Sequence, residues 1–432
     1  MTPGARLASA IEILEKIERD RRPAADVLKD WGLAHRFAGS ADRAAIAGLV
    51  YDALRRRASA AYVMEEDSPR AVLLGMLKLE RGLDPDRIAA LCDGSRYAPQ
   101  PLAAEERAKL SAASLDGAAP PVVGDYPEWL DPYFAKTFGA ERGAELAALA
   151  SRAPLDLRVN SLKADREKIA AALEVLAPAP TRWSPVGLRI RLAAESRSPA
   201  IHAEPAFRKG QIEIQDEGSQ LAALLSAAKP GEQVVDLCAG AGGKTLALAA
   251  MMENHGQIFA TDADKRRLAP IHARLERAGV RNVQVRTPRP GTDALADLEG
   301  RTDLVLIDAP CTGTGVWRRN PDAKWRIRPG AVAERIKEQI AVLDRAEKLV
   351  KPGGRILYAT CSVLEDENGT QVRALLARHE GFAAVPPAEV MATLGERAFL
   401  FRRAVLLSDE GLLMTPRRTD TDGFFVAMLR RQ

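Results

Sequence analysis

Cysteine is scarce in this chain of 432 residues, which holds four: Cys92, Cys238, Cys311 and Cys361. So few exclude a disulfide scaffold and suit a reducing compartment. Neither a Cys-x-x-Cys pair nor a His-x-x-x-His pair occurs anywhere. The spacing that builds zinc sites is therefore missing, and no metal is expected. The first twenty residues alternate apolar and charged side chains without an uninterrupted apolar core. Secretory signals and membrane spans need such a core, so a cytoplasmic protein away from membranes is expected. No internal repeat is visible. A hydrophobic fraction of 47% with 28% charged residues excludes a disordered chain, and the length favours two or three compact units.

What is present is unevenly distributed. Residues 1–150 carry 20 Lys and Arg against 23 Asp and Glu, so the whole-chain excess of +4 hides +7 in the remainder. A basic remainder points weakly toward a polyanionic partner. Residues 1–140 are rich in Ala and Leu, with apolar side chains at three-to-four spacing. Ile46, Leu49, Val50, Ala53 and Leu54 share one helix face opposite Arg43, Asp52 and Arg56. An all-helical domain is expected there, with a flexible linker at 111–121. A small α+β RNA-binding or linker subdomain is expected over 141–228 and a doubly wound domain over 229–432. In the last, strands at 234–235, 257–260, 283–286, 303–307 and 355–359 alternate with helices at 246–252, 265–278 and 332–350. Such alternation predicts a parallel α/β sheet. A hairpin at 411–415 and 423–429 is appended to it.

Two motifs lie just past strand ends: Asp308-Ala309-Pro310-Cys311 and Thr360-Cys361-Ser362. Side chains there converge on one crevice of a parallel sheet. Two thiols and a carboxylate suit attack on an electron-poor carbon. The bland alternative is two small buried core residues; position after strand ends favours function. Between a strand and a helix lies Asp236-Leu237-Cys238-Ala239-Gly240-Ala241-Gly242-Gly243-Lys244-Thr245. A P-loop would need glycine where Cys238 stands, and a dinucleotide fingerprint would need glycine where Thr245 stands. A nucleoside cofactor without a phosphate chain fits better, with Asp262 accepting from ribose hydroxyls. The alternative, less favoured by the spacing, is that Asp262 caps the helix that begins near Asp264.

These residues resemble the RNA cytosine-C5 methyltransferases of the Sun/NSUN group, especially the bacterial ribosomal RNA members. The match runs over residues 126–430. It takes in Tyr126-Pro127-Glu128-Trp129-Leu130, Arg158-Val159-Asn160-Ser161-Leu162-Lys163, Gln215-Asp216-Glu217-Gly218-Ser219-Gln220 and the glycine turn. It continues through both cysteine motifs, Arg319-Asn320-Pro321-Asp322 and Asp422-Gly423-Phe424-Phe425. The helical front resembles a NusB-type RNA-binding domain.

The resemblance implies a class I S-adenosylmethionine-dependent (Rossmann-like) sheet, S-adenosylmethionine as cofactor, RNA as partner and a monomer. It places Cys238, Ala239, Gly240, Ala241, Gly242, Gly243 and Lys244 on the methionine end of the cofactor and Asp262 on the ribose. Asp293 becomes the candidate for the adenine, and Asp308 lies between cofactor and base. Cys361 corresponds to the nucleophile and Cys311 to the thiol that assists product release; Lys244 joins them in the reacting set. Where the family usually has Ala-Ala-Pro-Gly-Gly, this chain has Ala239-Gly240-Ala241-Gly242-Gly243, and losing the proline should loosen the turn.

The implied chemistry explains why such groups are needed. Carbon 5 of cytosine is a poor nucleophile until a thiolate adds at carbon 6 and pushes electron density onto it. The base must also leave its stack. Residues 317–328 hold five bases, one acid and two tryptophans, a pattern suited to phosphate contact and stacking. Arg318, Arg319 and Lys324 are expected to touch RNA there, joined by Arg158, Asn160 and Lys163. The alternative is a basic loop with its tryptophans packed inward. The substrate expected is 16S rRNA. A transfer RNA substrate, a DNA substrate, a non-catalytic RNA-binding assembly factor and a P-loop NTPase are the competing readings.

Overall fold

The computed structural model describes residues 1–192, 198–289 and 291–432. Part of the subdomain expected over 141–228, and Pro290 just before Asp293, lie outside the described residues. Two units are present, and each has its own core. Among the described residues the first comprises Met1–Arg152 and Trp317–Arg328, and the second comprises Ala153–Leu192, Ser198–Val316 and Pro329–Gln432.

The first unit is helical. Its opening helix, Pro3–Asp20, is started by Thr2, whose hydroxyl accepts from the Ala5 amide, and by Pro3 at the first turn. Ser68 and Asp84 start Pro69–Leu79 and Pro85–Leu91 in the same way. The face read from the sequence on Ser40–Arg55 is buried as expected. It packs with Leu7, Ile13, Leu73 and Met76 in one core. Residues 111–121 do not separate units: helix Ala104–Ala112 runs into them and helix Pro120–Val123 begins within them. Small residues there are compatible with helix ends as well as with a linker.

The second unit holds two sheets among its described residues. Strands β1 (Leu155–Val159), β2 (Ala179–Pro180), β3 (Gly187–Ile190) and β4 (Ile212–Ile214) form an antiparallel sheet in the order β2-β3-β1-β4. Its core is Leu157, Val159, Leu188, Ile190 and Ile212.

The larger sheet contains β5 (Gln233–Asp236), β6 (Gln257–Ala260), β7 (Val283–Val285), β8 (Thr302–Asp308) and β9 (Val350–Thr360). It is completed by β10 (Phe382–Ala384), β11 (Leu406–Leu407), β12 (Leu412–Met414) and β13 (Phe424–Arg431). The order is β11-β12-β13-β9-β8-β5-β6-β7, with β10 on β13. Strands β5 to β9 pair in parallel, and β13 runs antiparallel to β9. Leu304, Val305, Leu306 and Ile307 are all fully buried, as a strand covered on both faces requires.

Two local expectations are corrected. The helix expected over 265–278 is two helices, Lys265–Leu268 and Ile271–Ala278, because Pro270 has no amide to carry the bond ladder through. The last parallel strand starts at Val350, which pairs with Thr302, and so takes the final residue from the preceding helix, Ala331–Leu349.

Candidate active site at the carboxyl ends of the strands

Strand order reverses beside β5: the chain lays β6 and β7 on one side of it and β8 and β9 on the other. Crevices for ligands form outside the carboxyl ends of strands at such a reversal. Asp236, Asp308 and Cys361 all stand at strand ends around it, and Asp262 follows β6 by two residues.

The turn after β5 is held on every side. Gly240 and Gly242 have φ of +50° and +83°. A Cβ on Gly242 would come within 2.6 Å of Ile271, so the turn needs glycine there both for backbone and for space. The amide of Gly242 donates to Ala239, and that of Gly240 donates to Asp262 Oδ2 at 2.9 Å. The outward carbonyls are taken by two arginines: Arg274 reaches Ala241 O at 2.8 Å and Arg158 reaches Gly243 O at 2.7 Å. Arg274 is anchored in turn by Glu213. The loosening expected from the missing proline is offset by this clamp. The helix Gly243–Met251 follows, and the first amides of a helix have no partner within it, which leaves donors for a ligand.

Four carboxylates behave differently. Asp236 is fully buried; Thr245 donates to its Oδ2 at 2.7 Å while Oδ1 has no partner. Burial lifts its pKa to about 7, opposed by the Thr245 bond. Asp262 accepts from the amides of Gly240 and Asp264, one on each oxygen. A carboxylate has about four acceptor positions, so two remain for ribose hydroxyls. The cap of the helix Lys265–Leu268 is Asp264, not Asp262, although Asp262 braces the start of that helix through the Asp264 amide. Asp308 forms an ion pair with Lys244, whose ammonium lies 2.8 Å away and also 5.1 Å from the Phe424 ring centroid. Asp293 pairs with Arg345 at 2.6 Å and caps the Leu295 amide. Asp293, the acid expected at the adenine, is thus held by Arg345 at the loop after β7.

The two thiols meet. Asp308 and Ala359 are opposite each other on β8 and β9, and a few residues farther on the Cys311 and Cys361 sulfurs are 3.3 Å apart. Both cysteines are half-buried and free of disulfides. The Cys361 sulfur and then burial push the Cys311 thiol well above its ordinary pKa. Cys311 therefore keeps its proton and can donate toward Cys361. Burial also raises Cys238 and Cys92, which stay inert thiols. Gly315 donates to the Cys361 carbonyl at 2.9 Å and accepts from the Gly423 amide at 2.8 Å. A Cβ on Gly315 would collide with the Gly423 carbonyl. Gly315→Ala is expected to cost about 1–3 kcal/mol by overpacking and to displace the Cys361 segment; thermal melting alongside thiol labelling checks both.

Several expected RNA contacts are buried instead. Arg158 is 4% exposed and spends Nη1 on Gln215 and Gly243. Asn160 donates to the carbonyls of Gly210 and Ala278. Lys163 is exposed, with Nζ on the carbonyls of Lys209 and Arg277. Arg318 and Lys324 are 2% and 1% exposed within the first unit. There Lys324 Nζ donates to Arg55 O, Trp325 Nε1 to Leu54 O, and Arg55 to Arg318 O. Trp317 stacks edge-on against Phe134. Segment Trp317–Arg328 thus packs Arg318, Lys324 and its tryptophans inward, while Arg319 is half-buried and Arg326 and Arg328 are exposed. What sequence reasoning missed is Glu367, a buried acid that bonds the neighbours of both cysteines. Position alone gave no signal for it.

The cofactor turn, the buried acid after β6 and the reversed strand β13 define a class I S-adenosylmethionine-dependent methyltransferase. Comparisons sharpen this. A 16S rRNA methyltransferase RsmB/F model matches residues 223–430, and an RsmF/B-like ferredoxin-like domain model matches residues 126–195. The probable ribosomal RNA small subunit methyltransferase B of Synechocystis is 29% identical over 98% of each chain. The enzyme of that name from Enterobacter sp. (strain 638) is 32% identical over 71% of this chain and 67% of its own. Other relatives of that name, including the Sodalis glossinidius one, are matched over 66% of their length. The crystal structure of PH0851 covers 100% of this chain and 99% of its own at TM-score 0.70 and 25% identity. A methyltransferase homolog from Pyrococcus horikoshii covers 72% and 98% at 0.57 and 26%. The chain belongs to the RsmB/F methyltransferase family, and its cofactor is S-adenosylmethionine. The orphaned Asp236 Oδ1 and the two acceptor positions left on Asp262 fit a ligand with amine and hydroxyl donors. No helix among the described residues is long and apolar enough to cross a membrane.

Proposed function

We propose that this enzyme methylates carbon 5 of a cytidine in 16S rRNA, with Cys361 as nucleophile. The observation that carries the reading is the pair of sulfurs 3.3 Å apart at neighbouring strand ends, with Asp308, the ion-pair partner of Lys244, three residues before Cys311. The substrate class rests on the relatives' names.

S-adenosylmethionine, when bound, supplies an electrophilic methyl group. The chain supplies the rest. Cys361 thiolate adds to carbon 6, forming the S–C6 bond as the C5–C6 double bond opens and density moves to carbon 5. Asp308 accepts from the exocyclic amino group, and Lys244, its partner, offsets negative charge developing at the ring's polar edge. With the methyl group on carbon 5, the proton there passes to solvent, the C5–C6 double bond re-forms and the S–C6 bond breaks. Cys311, held protonated, donates to the departing Cys361 thiolate and eases its release.

Bisulfite sequencing of total RNA from cells with and without the gene tests the substrate. One protected cytidine in the small-subunit RNA should disappear with the gene. Loss of protection only in transfer RNA, or nowhere, contradicts the reading.

A further inference from the structure

The Glu367 side chain is fully buried, and among the described residues its hydrogen-bond partners are neutral. Its Oε1 accepts from the Thr312 amide at 2.8 Å and from Gln339 Nε2 at 3.4 Å. Its Oε2 accepts from the Thr312 hydroxyl and the Ser362 hydroxyl, each at 2.5 Å. Thr312 directly follows Cys311, and Ser362 directly follows Cys361. The same Gln339 amide also holds Pro310 O at 2.9 Å, on the other side of Cys311. One carboxylate therefore bonds the chain next to both sulfurs, from segments separated by 55 and 5 residues. The backbone around Glu367 is fixed as well: Tyr358 donates to the Glu367 carbonyl at 2.6 Å, and Asn368 bonds Thr360 Oγ1 and Ser362 O.

An unpaired buried carboxylate is costly to keep, and short hydrogen bonds from hydroxyls and an amide are what make it tolerable. A neutral amide could meet most of these bonds without a charge. The placement of an acid here has a chemical consequence for the nearest thiol. Cys311 faces Cys361 and Tyr358, from the exit of β9 and from β9 itself, and Glu367 from the following turn; Asp308 lies three residues earlier on its own loop. The Glu367 charge adds to the influence of Cys361 in holding the Cys311 proton.

We propose that Glu367 is the positioning residue of the two-thiol site: it clamps the Cys311 and Cys361 loops together and reserves the proton for Cys311. This rests on the assignment of Cys361 as nucleophile and Cys311 as release thiol. It adds the group that holds the two cysteine segments against each other.

The test uses the full chain with Glu367→Gln, which keeps the shape and removes the charge. The Thr312 and Ser362 hydroxyls can turn to accept from the new amide. Iodoacetamide labelling across a pH series, read peptide by peptide in a mass spectrometer, reports each cysteine separately. In E367Q the labelling midpoint of Cys311 should move to lower pH. Turnover on RNA from cells lacking the gene should fall at least tenfold with KM for RNA unchanged. An unaltered Cys311 profile together with native turnover overturns the proposal. Should E367Q fail to fold, Thr312→Val and Ser362→Ala each remove one bond and leave the acid in place; both are expected to slow turnover, and native rates in both overturn it too. Cys361→Ala run in parallel separates the two failures. If C361A remains active, the nucleophile assignment is wrong; if C361A is dead while E367Q behaves as native, only the role of Glu367 is.

Discussion

Cys361→Ala is expected to abolish methyl transfer, by more than about a thousandfold as for loss of a covalent nucleophile, and to leave no enzyme–RNA complex that survives denaturation. Cys311→Ala is expected to do the opposite: methyl transfer to the bound base proceeds once, and the protein stays covalently attached to RNA. The asymmetry follows from the geometry. The sulfurs are within bonding distance, but the Cys311 thiol is driven well above its ordinary pKa by its neighbour's sulfur and by burial. A sulfur that keeps its proton is a poor nucleophile and a good donor to a leaving thiolate. A denaturing gel with labelled RNA distinguishes the variants directly. A stable complex in C361A and none in C311A would exchange the two roles.

Arg158→Met is expected to weaken S-adenosylmethionine binding about tenfold and to lower the melting temperature, without changing RNA affinity. Arg158 is buried, and burial lowers its pKa to about 10, so it remains a cation at neutral pH. Its Nη1 holds Gln215 and the Gly243 carbonyl. Methionine fills much of the volume but leaves that carbonyl and the Gln215 oxygen unpaired, at about 1–3 kcal/mol. The glycine turn then has only Arg274 on its carbonyl side. Calorimetric titration of the cofactor measures the first effect. Retention of RNA across a salt series measures the second: a phosphate contact would reduce the salt slope by about one. Lost RNA affinity with a smaller slope and an unchanged cofactor affinity would return Arg158 to the RNA surface.

The parallel sheet was legible because its strands are continuous apolar runs separated by helical periodicity, and both cysteines fall just past two such runs. That is enough to predict their convergence, since neighbouring parallel strands end on the same edge. Asp262 was legible as an acid just past the second strand, and the structure shows that Asp264, not Asp262, caps the next helix. The basic loop was misread because composition records charge but not direction. Lys324 is spent on the Arg55 carbonyl inside the helical unit, where an unpaired carbonyl needs a donor as much as a phosphate would, and Arg318 is buried there too. Arg158 and Asn160 misled similarly: a motif in a family's order can mark a brace as readily as a contact. Glu367 stayed hidden because its partners come from distant segments and an acid in a run of acids (Glu365-Asp366-Glu367) reads as solvated surface.

The most direct test of the account is to trap the adduct. Protein, S-adenosylmethionine and RNA carrying 5-fluorocytidine, which has no carbon 5 proton to lose, are incubated together, and the cross-linked peptide is sequenced by mass spectrometry. The nucleotide should be found on Cys361, within the peptide that follows β9. A nucleotide on Cys311, or methyl transfer with no adduct on either sulfur, would contradict it.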